Sequence, residues 1–373
     1  MKKILFVANI HKHFRAFHIP YIEYLKKDGY EVHVAANDSS TLIPEADKQF
    51  DLPINRSPFS KNNIIAIKKL KTILAEEKYS LIHCHTAMGS VVARLAARRF
   101  RARGSLKVLY TVHGFHFYKG SSKLYWMLYY PIEKYLSRYT DGLITINDED
   151  YKLAISNNFK CKNIFKTFGI GINNTKFNNV SFDNRIQIRK MNGYPNDSFI
   201  IIYIAEFIHR KNHKFILDSI PLLKEKIDNF KFIFAGRGLL KEELEKFSNI
   251  RGLTENVDFL GFRRDIGELI SMSDIGVSVS KQEGLPMNIA EEMFAGKPII
   301  ASKIRGHVDL IEHGVNGFLY TSGDRHAFVS QISELYKNRE LYNTISKNVK
   351  KGVKKYELSS CLEEMKLIYK EFI

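Results

Sequence analysis

Short apolar runs alternate along this chain with longer stretches whose apolar positions recur every three or four residues. The runs suit parallel strands buried on both faces, and the stretches suit helices with one apolar stripe. In the first half, strands are predicted at residues 4–8, 31–36, 81–83, 107–112 and 142–146, with helices at 19–27, 64–77 and 90–99. The pattern then restarts. Strands at 199–205, 231–235, 257–259, 275–278 and 298–301 alternate with helices at 214–226, 240–248, 266–272, 286–295 and 327–337, and a last helical segment covers 358–372. The asparagine-rich stretch 173–198 lacks regular spacing and reads as a link between domains. This alternation predicts an α/β protein with two doubly wound, Rossmann-like domains in series. Ligands of such sheets sit beyond the carboxyl ends of the strands, so chemistry is sought in the loops that follow them.

Length agrees, since 373 residues are too many for one ordinary core and suit two domains. Cys84, Cys161 and Cys361 are widely separated, which gives neither a disulfide framework nor a zinc-type spacing and fits a reducing compartment. Met1-Lys2-Lys3 and the apolar run after it resemble the start of a signal peptide, but His11, Lys12 and His13 interrupt the run and no small-residue cleavage site follows. The apolar stretch 199–208 is about half of what crosses a bilayer and contains Glu206. Both read as buried strands, and the chain is expected to be cytoplasmic.

Charge changes this picture on one side only. Residues 1–180 hold 28 Lys and Arg against 14 Asp and Glu, whereas residues 181–373 hold 29 against 26, so most of the net +17 lies in the first half. Such asymmetry implies an anionic partner for that half. Arg94, Arg98, Arg99, Arg101 and Arg103 are densest, and aromatic residues including Phe115, Tyr118 and Trp126 follow in sequence. Basic and aromatic residues together suit an anionic membrane surface, and nucleic acid is not expected. The alternative is that the Trp126 segment is a core helix and the arginines are merely solvated.

The segment from Ser280 to Pro298 carries the strongest chemical signal. A strand runs into a loop, Pro286 opens a helix at its first position, and Gly296 and Pro298 end it. Bare amides at such a helix start, with Gly284 permitting close approach, favour a diphosphate. Glu283 and Glu291 flank it, and a carboxylate accepts paired hydrogen bonds from a vicinal diol. Glu291 is read as the ribose ligand and Glu283 as facing the transferred sugar; the alternative is a helix-start charge and a solvated helix residue.

Glu283 and Glu291 are spaced as in the E-x7-E signature of retaining GT-B glycosyltransferases, and the chain resembles family four of that group. Asp274 before the strand, Ala295-Gly296-Lys297-Pro298 after the helix, Gly306, Gly314-Val315-Asn316-Gly317 and Gly171-Ile172-Asn173 with Phe177 extend the likeness over essentially the whole chain. The resemblance implies a GT-B fold whose two domains face each other across a cleft. Residues 1–168 would be the acceptor-binding domain and 169–356 the nucleotide-sugar domain, with the helix at about 357–373 packing back on the first. It implies donor binding by Arg210, Lys211, Gly236, Gly284, Leu285, Pro286 and Glu291, with His113 and Glu283 as catalytic residues. Glu206 departs from the commoner family pattern, in which arginine often stands, and resembles the Glu of certain capsule and exopolysaccharide enzymes of the family, which leaves Lys211 and Arg210 to supply the charge. The loop at 9–14 lacks the glycines that many relatives place against the donor.

Asp148-Glu149-Asp150 mimics the DxD metal site of the other large glycosyltransferase fold, yet it stands where a helix cap belongs, with Asn147 or Asp148 as the cap. No metal or other cofactor is expected, because the GT-B site uses helix dipoles and Lys or Arg in place of a divalent ion. The implied activity is retaining transfer of a hexose or N-acetylhexosamine from a UDP-sugar to a polyprenyl-diphosphate-linked saccharide, at the inner face of the plasma membrane, in capsule, exopolysaccharide or surface-glycan synthesis. The rivals are a sugar-nucleotide epimerase of the same fold and a non-catalytic glycan-binding partner.

Overall fold

The computed structural model describes residues 1–177 and 182–373. It divides into two compact units, one made of residues 1–171 and 359–373 and the other of residues 172–358. In the first unit, β1 (Lys3–Ile10), β2 (Glu31–Asn37), β3 (Lys48–Asp51), β4 (Leu81–His85), β5 (Lys107–Val112), β6 (Gly142–Thr145) and β7 (Asn163–Lys166) form one sheet. Its order is β3-β2-β1-β4-β5-β6-β7. The second holds β8 (Phe199–Ile204), β9 (Phe230–Ala235), β10 (Val257–Gly261), β11 (Ile275–Ser278), β12 (Ile299–Ser302) and β13 (Phe318–Tyr320). Their order is β10-β9-β8-β11-β12-β13. Every strand pairing is parallel, so each connection crosses over, and helices cover both faces. The order reverses beside β1 in one sheet and beside β8 in the other, and that is where a crevice opens at the strand ends.

Ile4, Phe6 and Ala8 of β1 face one core and Leu5 and Val7 the other, which is why the run carries no polar alternation. The helix Leu358–Lys370 closes the first of these cores with Met365, Ile368 and Tyr369. The Tyr369 hydroxyl pairs with His83 Nδ1 at 2.8 Å, satisfying both buried groups.

The stretch 173–198 is more than a link. Apart from residues 178–181, which lie outside the described residues, it contains the helix Phe182–Met191. Arg185 and Arg189 of that helix both reach Asp274, and Arg189 Nη2 lies 2.7 Å from Asp274 Oδ2. The same oxygen accepts from the Ile200 amide at 2.8 Å, so Asp274 ties this helix to β8 through two ion pairs and a hydrogen bond. A second difference concerns residues 9–14. β1 continues to Ile10 and passes directly into the helix His11–Phe17, so no open loop follows it. Asn9 fixes this path: its Oδ1 accepts from the Gly89 amide at 2.6 Å and from Thr86 Oγ1 at 2.8 Å. Among the described residues, no helix is long and apolar enough to cross a membrane.

Candidate functional site

In the second unit, the ends of β8 and β11 bring the site residues together. After β8 the chain turns through His209–Lys211 into the helix His213–Lys224, with Asn212 in the left-handed region. The Tyr203 hydroxyl donates to the Lys211 carbonyl at 2.7 Å and pairs with Ser280 Oγ at 3.1 Å, pinning this turn to the loop after β11. The Lys281 amide donates to the Arg210 carbonyl at 2.8 Å, a second stitch between the two loops. Lys211 Nζ therefore meets Glu283 Oε1 in a short ion pair, and Arg210 Nη1 stands 3.6 Å from Oε2. Burial raises the Glu283 carboxyl, but the charge and hydrogen bond of Lys211 outweigh this and hold its pKa below the ordinary value. Glu283 is thus a buried carboxylate with cations on one side.

The helix that follows is Met287–Phe294, one residue later than the sequence suggests. Pro286 is its N-cap, with φ −78° and ψ 105°, because the Gly284-Leu285-Pro286 turn is still extended there. No side chain caps this helix, which leaves its first amides pointing along the dipole toward the loop. Glu291 lies at its fifth position and is half-buried. Two neighbours were not legible in advance. Arg305 Nε donates to the Glu283 carbonyl at 3.0 Å, and His307 pairs with the Ser302 carbonyl at 2.7 Å and with Ser278 Oγ at 3.0 Å. Burial pushes the His307 pKa down to about 4, so it stays neutral. Gly306 lets this loop approach: a Cβ there would lie 2.6 Å from the Gly284 carbonyl oxygen. Gly236 has a similar packing cause, since its Cβ would fall 1.9 Å from the Ala205 carbonyl oxygen, and this accounts for the glycine without a phosphate.

In the first unit, His113 follows β5 and is half-buried, with Nε2 at 3.4 Å from His85 Nδ1. Burial pushes its pKa down to about 4, so the imidazole is neutral near pH 7 and has a lone pair to offer. Beside it lies a cavity of about 240 Å³ lined by His113, His116, Tyr129, Tyr110, Thr86 and Glu133, among others. The acids at 148–150 are engaged in capping, ion pairs and backbone hydrogen bonds. Asn147 caps the helix Asp148–Ser156, Asp148 pairs with Lys152 and Lys166, Glu149 accepts from the Lys119 amide, and Asp150 accepts from the Phe115 amide.

Residues 3–147 match the family model for "Glycosyl transferase 4-like" proteins, and residues 184–352 match that for "Glycosyl transferases group 1". EpsD of Bacillus subtilis, a protein named as a glycosyltransferase, is 43% identical over 372 residues, spanning 100% of this chain and 97% of its own length. This chain belongs to the glycosyltransferase family. An Escherichia coli relative, UDP-Gal:alpha-D-GlcNAc-diphosphoundecaprenol alpha-1,3-galactosyltransferase, is 25% identical over 94% of the chain and 92% of its own. The crystal structure of Anabaena HepE in complex with UDP superposes with a TM-score of 0.81 at 21% identity, covering 100% of each chain, and shares the GT-B fold.

The basic and aromatic residues of this glycosyltransferase divide into core and surface. Arg94 is a correction: it is buried, with Nη2 at 2.8 Å from Glu133 Oε2 and its guanidinium 4.4 Å from the Tyr110 ring centre. It lies on the inner face of the helix Ala87–Ala102, four residues from Ser90, whose carbonyl it also bonds. Phe115 is likewise core, stacked on Phe117 at 4.7 Å. Trp126 is half-buried against the same cluster and donates to the Tyr118 carbonyl at 3.2 Å, which holds the half-buried Tyr118 in the loop. Arg101 bonds Asp141 at 3.0 Å. Arg98, Arg99 and Arg103 are exposed, and so are Leu124 and Met127 on the helix Lys123–Leu136.

Glu292, adjacent to Glu291, is fully buried, and neither carboxyl oxygen has a hydrogen-bond partner. Burial, and then the charge of Glu291, raise its pKa well above the ordinary 4.5. The unfolded chain releases this proton near pH 4.5 while the folded protein keeps it. Its contribution to stability is therefore full below that pH and declines as pH rises toward the folded pKa. Glu292→Gln should melt like the parent near about pH 5 and be more stable by about 1–3 kcal/mol near about pH 8. Parallel melting curves for the two proteins at both pH values would show that Glu292 is solvated.

Proposed function

We propose that the protein is a retaining glycosyltransferase that moves a hexosyl or N-acetylhexosaminyl group from a UDP-sugar to a polyprenyl-diphosphate-linked saccharide. The single observation that carries this is the Lys211–Glu283 pair, seated beside an uncapped helix start with Arg210 at its edge. Arg210, Lys211 and the amides after Pro286 would take the diphosphate, Glu291 the ribose diol, and Glu283 the transferred sugar, without a divalent ion. The UDP bound by HepE and the diphosphoundecaprenol acceptor of the Escherichia coli relative support the choice of substrates. CapM of Staphylococcus aureus, named for capsular polysaccharide biosynthesis and 24% identical over 94% of the chain, supports a place in capsule, exopolysaccharide or surface-glycan assembly. The sugar C1–O bond to the diphosphate breaks as the acceptor hydroxyl forms its bond to C1 on the same face. The acceptor proton passes to the departing phosphate oxygen. Exposed Leu124, Met127, Arg98, Arg99 and Arg103 would carry the chain to the anionic inner leaflet where that acceptor lies.

Incubation with a panel of UDP-sugars, with and without polyprenyl-diphosphate saccharide, tests this reading. UDP release that needs the acceptor, and a product with the donor's anomeric configuration by NMR, is the expected result. An isomerised sugar nucleotide formed without acceptor would make the protein an epimerase, and no turnover or donor binding would make it a binding partner. Glu291→Ala should weaken UDP-sugar binding about 10–100-fold through loss of hydrogen bonds to a charged group. Unchanged affinity by calorimetry would remove Glu291 from the donor site.

A further inference from the structure

We propose that His13, His18, His85 and His113 form a binding site for one divalent transition-metal ion of the zinc class. Each residue offers one ring nitrogen, and these four atoms all lie within 4.8 Å of one another. His13 Nε2 is 3.2 Å from His18 Nε2, and His113 Nε2 is 3.4 Å from His85 Nδ1. A tetrahedral ion with Zn–N bonds of 2.0–2.1 Å sets its ligand nitrogens about 3.3 Å apart. Both close pairs match that edge. The rings are arrayed to suit: their centres are separated by 4.0 Å at the closest, between His18 and His85, and 6.1 Å at the farthest, between His18 and His113. Four imidazoles around one tetrahedral ion have centres on the order of 5 Å apart.

The fold assembles this cluster from separate places. His13 lies on the helix His11–Phe17, His18 at the turn after it, His85 at the end of β4 and His113 just beyond β5. These are adjacent strand ends, so the cluster sits where a doubly wound sheet places ligands. Histidines so close are otherwise hard to satisfy. His85 is 1% exposed, and its Nδ1 meets another imidazole nitrogen, that of His113, rather than an oxygen. Burial and the neighbouring histidines depress the pKa values of His13, His18 and His85, and no carboxylate contributes at any of the four. The rings are accordingly neutral, the form that ligates metal. All-imidazole sites favour zinc, nickel or copper over magnesium or calcium.

Two neighbours show the cluster's selectivity. His83 packs 4.2 Å from His85, but both its nitrogens are engaged, with the Tyr369 hydroxyl and Thr111 Oγ1. A second metal-like grouping among the described residues, Glu31, His33 and Glu77, is already neutralised by Lys3 and Lys48. His13 and His113 are only partly buried and give an ion its way in. The ion's site belongs to the first unit and adds to the proposed donor chemistry of Lys211 and Arg210 without serving it.

Titration of chelator-treated, full-length protein with Co2+ tests the site without reading activity. One equivalent should produce the intense visible bands of tetrahedral coordination, and Zn2+ should displace them. His13→Gln, at a half-buried position, should weaken binding by more than the about 10–100-fold that loss of an outer-shell group costs. His33→Gln should leave binding unchanged. Circular dichroism confirms that the variant is folded, and anomalous scattering from zinc-soaked crystals should place one peak among the four rings. Weak octahedral spectra, bands insensitive to His13→Gln, or no anomalous peak at the cluster would each overturn the proposal.

Discussion

Lys211→Met is expected to lower kcat about 100–1,000-fold and to destabilise the fold by about 3 kcal/mol, for two different reasons. The stability loss comes from the apo protein. Glu283 is 7% exposed, and Lys211 is its short-range partner, whereas Arg210 stands farther off at 3.6 Å. Removing one member of a buried pair leaves an unpaired charge. The rate loss comes from the proposed transition state, where a cation beside the departing diphosphate stabilises charge that builds only then. The double variant Lys211→Met/Glu283→Gln separates the two. It should recover most of the stability in urea denaturation and none of the turnover. Recovery of turnover with stability would mean that Lys211 only shields Glu283, and the donor assignment would fail.

The core strands are readable because a parallel strand buried on both faces is one apolar run, as β1, β8 and β11 are. β3 (KQFD) and β7 (NIFK) escape because they are half-buried edge strands with polar residues. The helix Phe182–Met191 escapes for another reason. Arg185 and Arg189 hold it through Asp274, and an ionic anchor leaves no apolar stripe to read. Within the site, spacing marks Glu283 and Glu291, and the strand end marks Lys211. Arg305 carries no comparable signal. It reaches the Glu283 carbonyl because Gly306 allows the loop after β12 to fold against Gly284, a contact between segments about twenty residues apart. The four-histidine cluster is illegible for the same reason, since its members lie at the ends of three strands that only the sheet order brings together.

Arg94 reads as a surface residue in sequence because its neighbours Arg98 and Arg99 are surface residues, and a run of one charge is usually a solvated face. Its partner, Glu133, is 39 residues away on another helix. That difference in environment has a measurable consequence. Arg94→Leu should cost about 3–5 kcal/mol, since it strands the Glu133 carboxylate beside the His113 cavity and removes the guanidinium from the Tyr110 ring. Arg98→Ala and Arg99→Ala should each stay within about 0.5 kcal/mol of the parent. Arg94→Leu/Glu133→Leu should regain most of the loss, because replacing both members of a buried pair with apolar groups is close to neutral. Chemical denaturation of the four proteins measures all of these. Equal, small effects at positions 94, 98 and 99 would return Arg94 to the surface, and the positive charge of that helix would then be available in full to an anionic leaflet.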